Sequence, residues 1–260
     1  LIPRPPFDLM ATATNESSIN GIMQLVKRTG AQTTLIQAAE TLYLWDGATT
    51  FTSKDTVNAS SFLRSTHWSL GDYLVISDIN LMNVLLTWDG TTSADMVHTG
   101  IVGSLYAKFA LVHLNRVWLF NIKLDSATYP HMILVCAFED PTNWSITARG
   151  GASTDGGSGL TTGLEAFYLF TPDLRPINAA CFFQNTLVVS TTDGEISQLQ
   201  GTSSKDFKFV DFFNTEPAIG VGQLESIGND ILYLRRGGSI VRLFATLTFG
   251  DVNVANLSKW

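Results

Sequence analysis

Side chains able to do chemistry are sparse in this sequence, and few stand at working spacings. The four histidines are His67, His98, His113 and His131. None belongs to an HExxH pair and no two have the spacing of ligands on one element, so no metal site is expected. His113 lies in a strand-like run beside Asn115, where a satisfied or surface imidazole is the simpler reading. The most conspicuous local feature is the Gly-rich run from Gly150 to Gly159. A phosphate cradle would need a lysine directly after its last glycine, and none follows. Gly156-Gly157-Ser158-Gly159 lacks the Gly-x-Ser-x-Gly spacing of a nucleophile elbow. Glycoside cleavage needs two carboxylates about 5–9 Å apart, which Glu139, Asp140 and Asp155 could supply. Asp140-Pro141 reads more readily as a turn, because a residue before proline is pushed out of the helical region. Trp45 and Trp88 could offer faces for stacking a sugar, although core packing is the commoner use of tryptophan. No catalytic, cofactor-binding or metal-binding residue is expected from these patterns. The Gly-rich run reads as a mobile loop that could carry a contact between subunits through Gly150, Asp155 and Gly157.

Composition narrows the setting of these residues. Of 260 residues only 15% are charged and 45% are hydrophobic, with a net charge of −7. An average soluble domain has about 25% charged residues. The chain is too apolar to be disordered, and its charge has the wrong sign for a basic nucleic-acid module. Its few cations include only two adjacent pairs, Lys27-Arg28 and Arg235-Arg236, and tight phosphate binding needs clusters. No apolar run reaches the ~18 residues of a membrane span, so no membrane insertion is expected. The N-terminus lacks a signal-peptide pattern; its first residue is Leu1 rather than Met, which reads as processing or as part of something longer. Cys136 and Cys181 sit in apolar runs and read as free buried thiols of a protein assembled in a reducing cytoplasm. The sequons at Asn15, Asn58, Asn143 and Asn256 are about as many as chance supplies.

The elements that would position any site read as β throughout. Short runs of Val, Ile, Leu, Phe, Tyr and Thr are bounded by Gly, Asn, Asp and Ser. Two series of repeats run through them. Thr41–Trp45-Asp46-Gly47 matches Val84–Trp88-Asp89-Gly90, at an offset of 43. Asp72–Ser77, Asn115–Phe120, Asn185–Ser190 and Asn229–Leu234 form the second series, at offsets of 43, 70 and 44. Each member begins with a polar residue and is followed by a second strand-like run. Asp46-Gly47, Asp89-Gly90, Asp193-Gly194 and Gly237-Gly238 supply the positive φ that tight hairpin turns need. A strand–turn–strand unit every 43–44 residues has the length of one four-stranded propeller blade. The spacing predicts an all-β chain, a β-propeller of about six four-stranded blades. Five are clear, with hairpins at 33–47, 72–90, 115–138, 185–201 and 229–245. A sixth, irregular blade would fall in the 70-residue interval, around the strand-like Ala166–Phe170. The implied organisation is an N-terminal arm and first-blade entry at 1–32, the propeller at 33–247 and a C-terminal segment at 248–260. A β-sandwich is the competing fold, but it has no reason to repeat at blade length. Ser153-Thr154-Asp155-Gly156-Gly157 matches part of the Asp-box turn of sialidase-like propellers, without the aromatic residue expected after it.

The second half of the chain carries a more specific likeness. Ala107–Leu119 contains His113-Leu114-Asn115-Arg116-Val117-Trp118, and Ala137–Trp144 reads AFEDPTNW. With Pro176–Gly201 and Ile219–Leu243 these runs follow the order of the β-propeller tail proteins of bacteriophages, and the chain resembles that family over Ala107–Leu247. The resemblance implies a structural virion protein of a short tail, the tail nozzle or stabilisation (tubular) protein. Such proteins extend the portal–adaptor channel, retain the packaged genome and let DNA pass at ejection. It implies no enzymatic activity and no cofactor. The partners it implies are other copies of the chain, usually in a hexameric ring, the portal, adaptor and other tail proteins, and genomic DNA that passes without tight binding. A tail-hub or fibre-attachment role is equally compatible with the family. The alternative from the residues is a propeller glycan hydrolase or glycan-binding protein acting on bacterial surface polysaccharide.

Overall fold

A computed structural model of the chain describes residues 18–48, 50–146, 164–201, 207–214, 220–221, 224–228, 230–234, 238–245 and 252–256. These residues form five sheets, each an antiparallel meander of four strands consecutive in the chain. The first sheet holds β1 (Ile19–Val26), β2 (Gln32–Ala38), β3 (Thr41–Trp45) and β4 (Phe51–Thr56). The second holds β5 (Leu63–Trp68), β6 (Tyr73–Asp78), β7 (Leu86–Trp88) and β8 (Ser93–Asp95). The third holds β9 (Leu105–His113), β10 (Arg116–Leu124), β11 (Ala127–Val135) and β12 (Phe167–Phe170). The fourth holds β13 (Ile177–Phe183), β14 (Thr186–Thr191), β15 (Glu195–Gln200) and β16 (Lys208–Asn214). The fifth holds β17 (Leu224–Ile227), β18 (Asp230–Leu234), β19 (Ile240–Ala245) and β20 (Val252–Asn256).

The five hairpins read from the repeats are the central pairs β2–β3, β6–β7, β10–β11, β14–β15 and β18–β19. The run placed in an irregular sixth blade is accounted for differently. Phe167–Phe170 pairs with Met132–Val135 as the outer strand of the third sheet. The 136–166 connection between β11 and β12 accounts for the long offset. The span 33–247 covers the central hairpins, but β1 precedes it and β20 follows it. A four-stranded sheet needs these flanking strands, so the sheet-bearing region runs from Ile19 to Asn256.

The residues divide into two compact units between Met96 and Val97. In the first unit, the facing sides of sheets one and two bury Met23, Leu25, Leu35 and Leu42 with Leu63, Leu74, Ile76, Leu86 and Trp88. In the second unit, the fourth sheet shows why strand periodicity matters. Successive side chains of a strand point to opposite faces. Ala180, Leu187, Val189 and Leu199 join Phe109, Trp118, Phe120, Ile133 and Phe167 of the third sheet. Their neighbours Ala179, Cys181, Val188 and Ile196 join Leu224, Ile231, Tyr233, Val241 and Leu243 of the fifth. A sheet buried on both faces needs apolar residues at consecutive positions, which is the Leu187-Val188-Val189 pattern.

The polar starters that are described have a defined conformational job; Asn229 lies outside the described residues. Asp72, Asn115 and Asn185 each occupy the residue before the second strand, with φ of +52°, +53° and +62°. In the first sheet Gly30, two residues before β2, is left-handed at φ +85°. Asn and Asp tolerate the left-handed region better than other non-glycine residues. In the β9–β10 and β13–β14 turns the preceding residues Leu114 and Gln184 are also left-handed, at +48°. Two consecutive positive φ values make the two-residue hairpin turn whose twist matches the strands.

Candidate functional site

The residues of the tail-like motif meet at one edge of the third sheet. Arg116, the first residue of β10, is buried. Its Nη1 donates to the carbonyl oxygens of Cys136 at 2.5 Å and Glu165 at 2.9 Å. Its guanidinium carbon lies 5.4 Å from the Phe167 ring centre and 5.8 Å from that of Phe138. Burial is the leading influence on this group and pulls its pKa down. Asn115 Nδ2 donates to Glu139 Oε1 at 3.0 Å, and Glu139 N returns a bond to the Asn115 carbonyl at 2.8 Å. Asp140 Oδ1 accepts from Thr142 N and Thr142 Oγ1 at 3.1 and 2.7 Å. Trp144 is fully buried and its backbone N donates to the Thr99 carbonyl. The motif's polar groups therefore hold a turn and anchor a buried tryptophan. Glu139 and Asp140, considered above as catalytic carboxylates, are engaged in this turn, while Asp155 lies outside the described residues together with Gly150 and Gly157.

A cleft of about 210 Å3 opens beside this edge, in the second unit. Three turns frame it: β9–β10 with His113 and Leu114, β13–β14 with Asn185 and Thr186, and the exit of β15 with Gln200 and Gly201. Trp118, Phe182 and Phe207 supply apolar lining. The Trp118 ring meets Phe182 and Phe207 edge-on, with centres 5.9 Å apart in both pairs. His113 stacks on Phe182 at 3.8 Å between ring centres. Its Nε2 lies 3.2 Å from the Asn185 carbonyl oxygen, which can only accept, so Nε2 carries the proton and Nδ1 is the acceptor. Burial pushes the His113 pKa below its ordinary value of 6.5, against a smaller opposing effect of that bond. Among the described residues the lining holds no Asp, Glu, Lys or Arg, which suits a neutral group.

The remaining sequence-derived candidates are dispersed. Gly47 and Gly90, at φ +84° and +96°, turn the third strand into the fourth in the first two sheets. Asp46 Oδ1 accepts from Ala48 N and Thr50 N, and Asp89 Oδ1 from Thr91 N and Thr92 N. The Thr92 amide is the leading cause holding the Asp89 carboxyl below its usual range. Asp193 and Gly194 (φ +90°) join β14 to β15, and Gly238 (φ +79°) precedes β19; Gly237 lies outside the described residues. Trp88 is fully buried and its Nε1 donates to Thr33 Oγ1, which removes it as a sugar platform. Trp45 is partly exposed and its Nε1 donates to the Ala48 carbonyl. Cys136 and Cys181 are free and buried, and desolvation pushes both thiols up to about 12. Among the described residues, no three His, Cys, Asp or Glu side chains cluster as metal ligands.

One recurring set of polar residues escaped the sequence reading. Asp78, Asn121 and Thr191 each stand six residues after the left-handed starter, and Gln37 seven after Gly30. All four are buried. Gln37 Nε2 donates to the Ser61 carbonyl while its Oε1 accepts from Leu63 N, joining the first sheet to the second. Asn121 Nδ2 likewise donates to the carbonyl of Ile177, the first residue of the next sheet. The signal was a polar residue closing an apolar strand at a constant offset in the same repeats.

No protein-family model and no curated protein matches the chain. Solved structures do. Virginiamycin B lyase from Staphylococcus aureus superposes with a TM-score of 0.57 at 11% identity, over 95% of this chain and 72% of that one. The β-propeller domain of Myceliophteria thermophila Cps50 (Swd1) gives 0.53 at 11% identity, over 96% and 74%. A streptogramin B lyase structure gives 0.51 at 13% identity, over 93% and 70%. The fold is a β-propeller. At these identities the likeness extends to architecture alone. Its four-stranded meanders are the propeller's blades, and the cleft sits where turns of the third and fourth blades meet.

Proposed function

We propose that this propeller is a non-catalytic structural subunit of a short-tailed phage virion, a nozzle or hub component that extends the portal–adaptor channel. The observation that carries the reading is the ordered resemblance of Ala107–Leu247 to phage tail propellers. The use of its motif residues supports it. Asn115, Arg116, Glu139, Asp140 and Trp144 hold backbone and core together, as a load-carrying subunit requires. The −7 net charge suits a protein beside passing DNA, because released counterions would give it no grip on phosphate. Of the paired cations, Arg28 is held by Asp72 and by the Leu70 carbonyl. In this reading the chain assembles in the host cytoplasm with other copies of itself, in a ring of six, and with portal, adaptor and tail proteins. A mass measurement on the tail complex released from virions tests it. A ring of this chain is expected, with its coding region beside portal and terminase genes. A stable monomer from isolated virions, or a coding region outside any phage genome, overturns it.

A further inference from the structure

The starter position of the second repeat series is used differently in the fourth blade than in its counterparts. Asp72 is bonded to Arg28, and Asn115 to Glu139. Asn185 instead makes no side-chain hydrogen bond within the described residues and directs its backbone carbonyl to His113. The side chains of Thr186 and Gln200, which line the same cleft, also make no hydrogen bond within the described protein. Three neutral polar groups thus surround the partly exposed rings of His113 and Phe182, with Trp118 buried beneath them.

We infer that this cleft is a binding subsite for one neutral sugar ring of a polysaccharide. Aromatic faces take the apolar C–H side of a pyranose, while amides and hydroxyls donate to and accept from its hydroxyl groups. Among the described lining residues none is charged, which favours a neutral ligand over a phosphorylated, carboxylated or cationic one. A cleft of about 210 Å3 holds one ring and not a longer segment. Two of the framing segments, β9–β10 and β13–β14, are two-residue hairpin turns, so the groups they carry are held in place before binding. The inference goes beyond the structural role and does not depend on it. Mass measurement on the tail complex decides one, and sugar binding by the purified chain decides the other.

Saturation-transfer NMR on the purified chain tests it, with glucose, galactose, mannose, N-acetylglucosamine and their short neutral oligomers as probes. Asn185→Gly keeps the left-handed turn at φ +62° and removes only the amide. Gln200→Ala removes a second group from an exposed position. Transfer from at least one sugar is expected, with affinity reduced about tenfold or more in the double variant, as losing one to two hydrogen bonds implies. Gln200→Ala alone gives a smaller loss and serves if the double variant does not fold. Absence of transfer from every sugar overturns the inference. So does undiminished transfer in the folded variants, or binding of neutral peptides in place of sugars.

Discussion

At the residue scale, Arg116 bears on stability more than its place beside a surface turn suggests. It satisfies two backbone carbonyls from a buried position. Arg116→Met would leave both oxygens without that donor, at a cost of about 2–4 kcal/mol; denaturant unfolding followed by tryptophan fluorescence reads the loss. Cys136 and Cys181 make the opposite prediction, of inertness. With both thiols pushed up to about 12 by burial, almost no thiolate exists at pH 8. Ellman's reagent should label neither cysteine in the folded protein and both in guanidinium. The histidines set an acid limit. Burial lowers the pKa values of His113 and His131 below the 6.5 they have when exposed. The unfolded chain therefore binds more protons than the folded one just below that value. Their contribution is intact above pH 6.5 and declines as pH falls through the window beneath it. The melting temperature should drop between pH 7.5 and pH 5.5, and His113→Gln should reduce the drop. A flat profile over that range would contradict this account of the imidazoles.

At the element scale, the β6–β7 connection shows what a buried carboxylate does for a blade. Asp78 Oδ1 accepts from Phe62 N and Asn80 N, and Oδ2 from Met82 N, Asn83 N and Asn83 Nδ2. Asp78→Ala should cost about 3 kcal/mol, because five part-buried hydrogen bonds lose their acceptor at once. Amide hydrogen exchange should speed up through residues 79–83 before it does in β6. The repeats made the central hairpins legible because each needs a left-handed residue at a fixed point, and Asp72, Asn115 and Asn185 advertise it. Outer strands were harder to read. Phe167–Phe170 is far in sequence from the strand it pairs with, and nothing local ties it to Met132–Val135. The cleft was harder still. Its residues come from three separate turns, and His113, Asn185 and Gln200 acquire a common meaning only when the third and fourth blades pack. Buried Asn121 looked like one polar residue in an apolar run, although its offset repeated that of Asp78.

At the scale of the whole molecule, low charge and high apolar content are divided among blades instead of one undivided core. The fourth sheet, buried on both faces, is where that division is plainest. The chain spans 70–74% of the solved propellers named above, and its likeness to them is one of architecture. As proposed above, this propeller is a building block of a phage tail. Image averaging of virions that encode the chain tests it most directly. The account predicts a ring of copies at the tail, continuous with the portal–adaptor channel, with density that fits these four-stranded blades. Virions whose tail holds no density for the chain would contradict it.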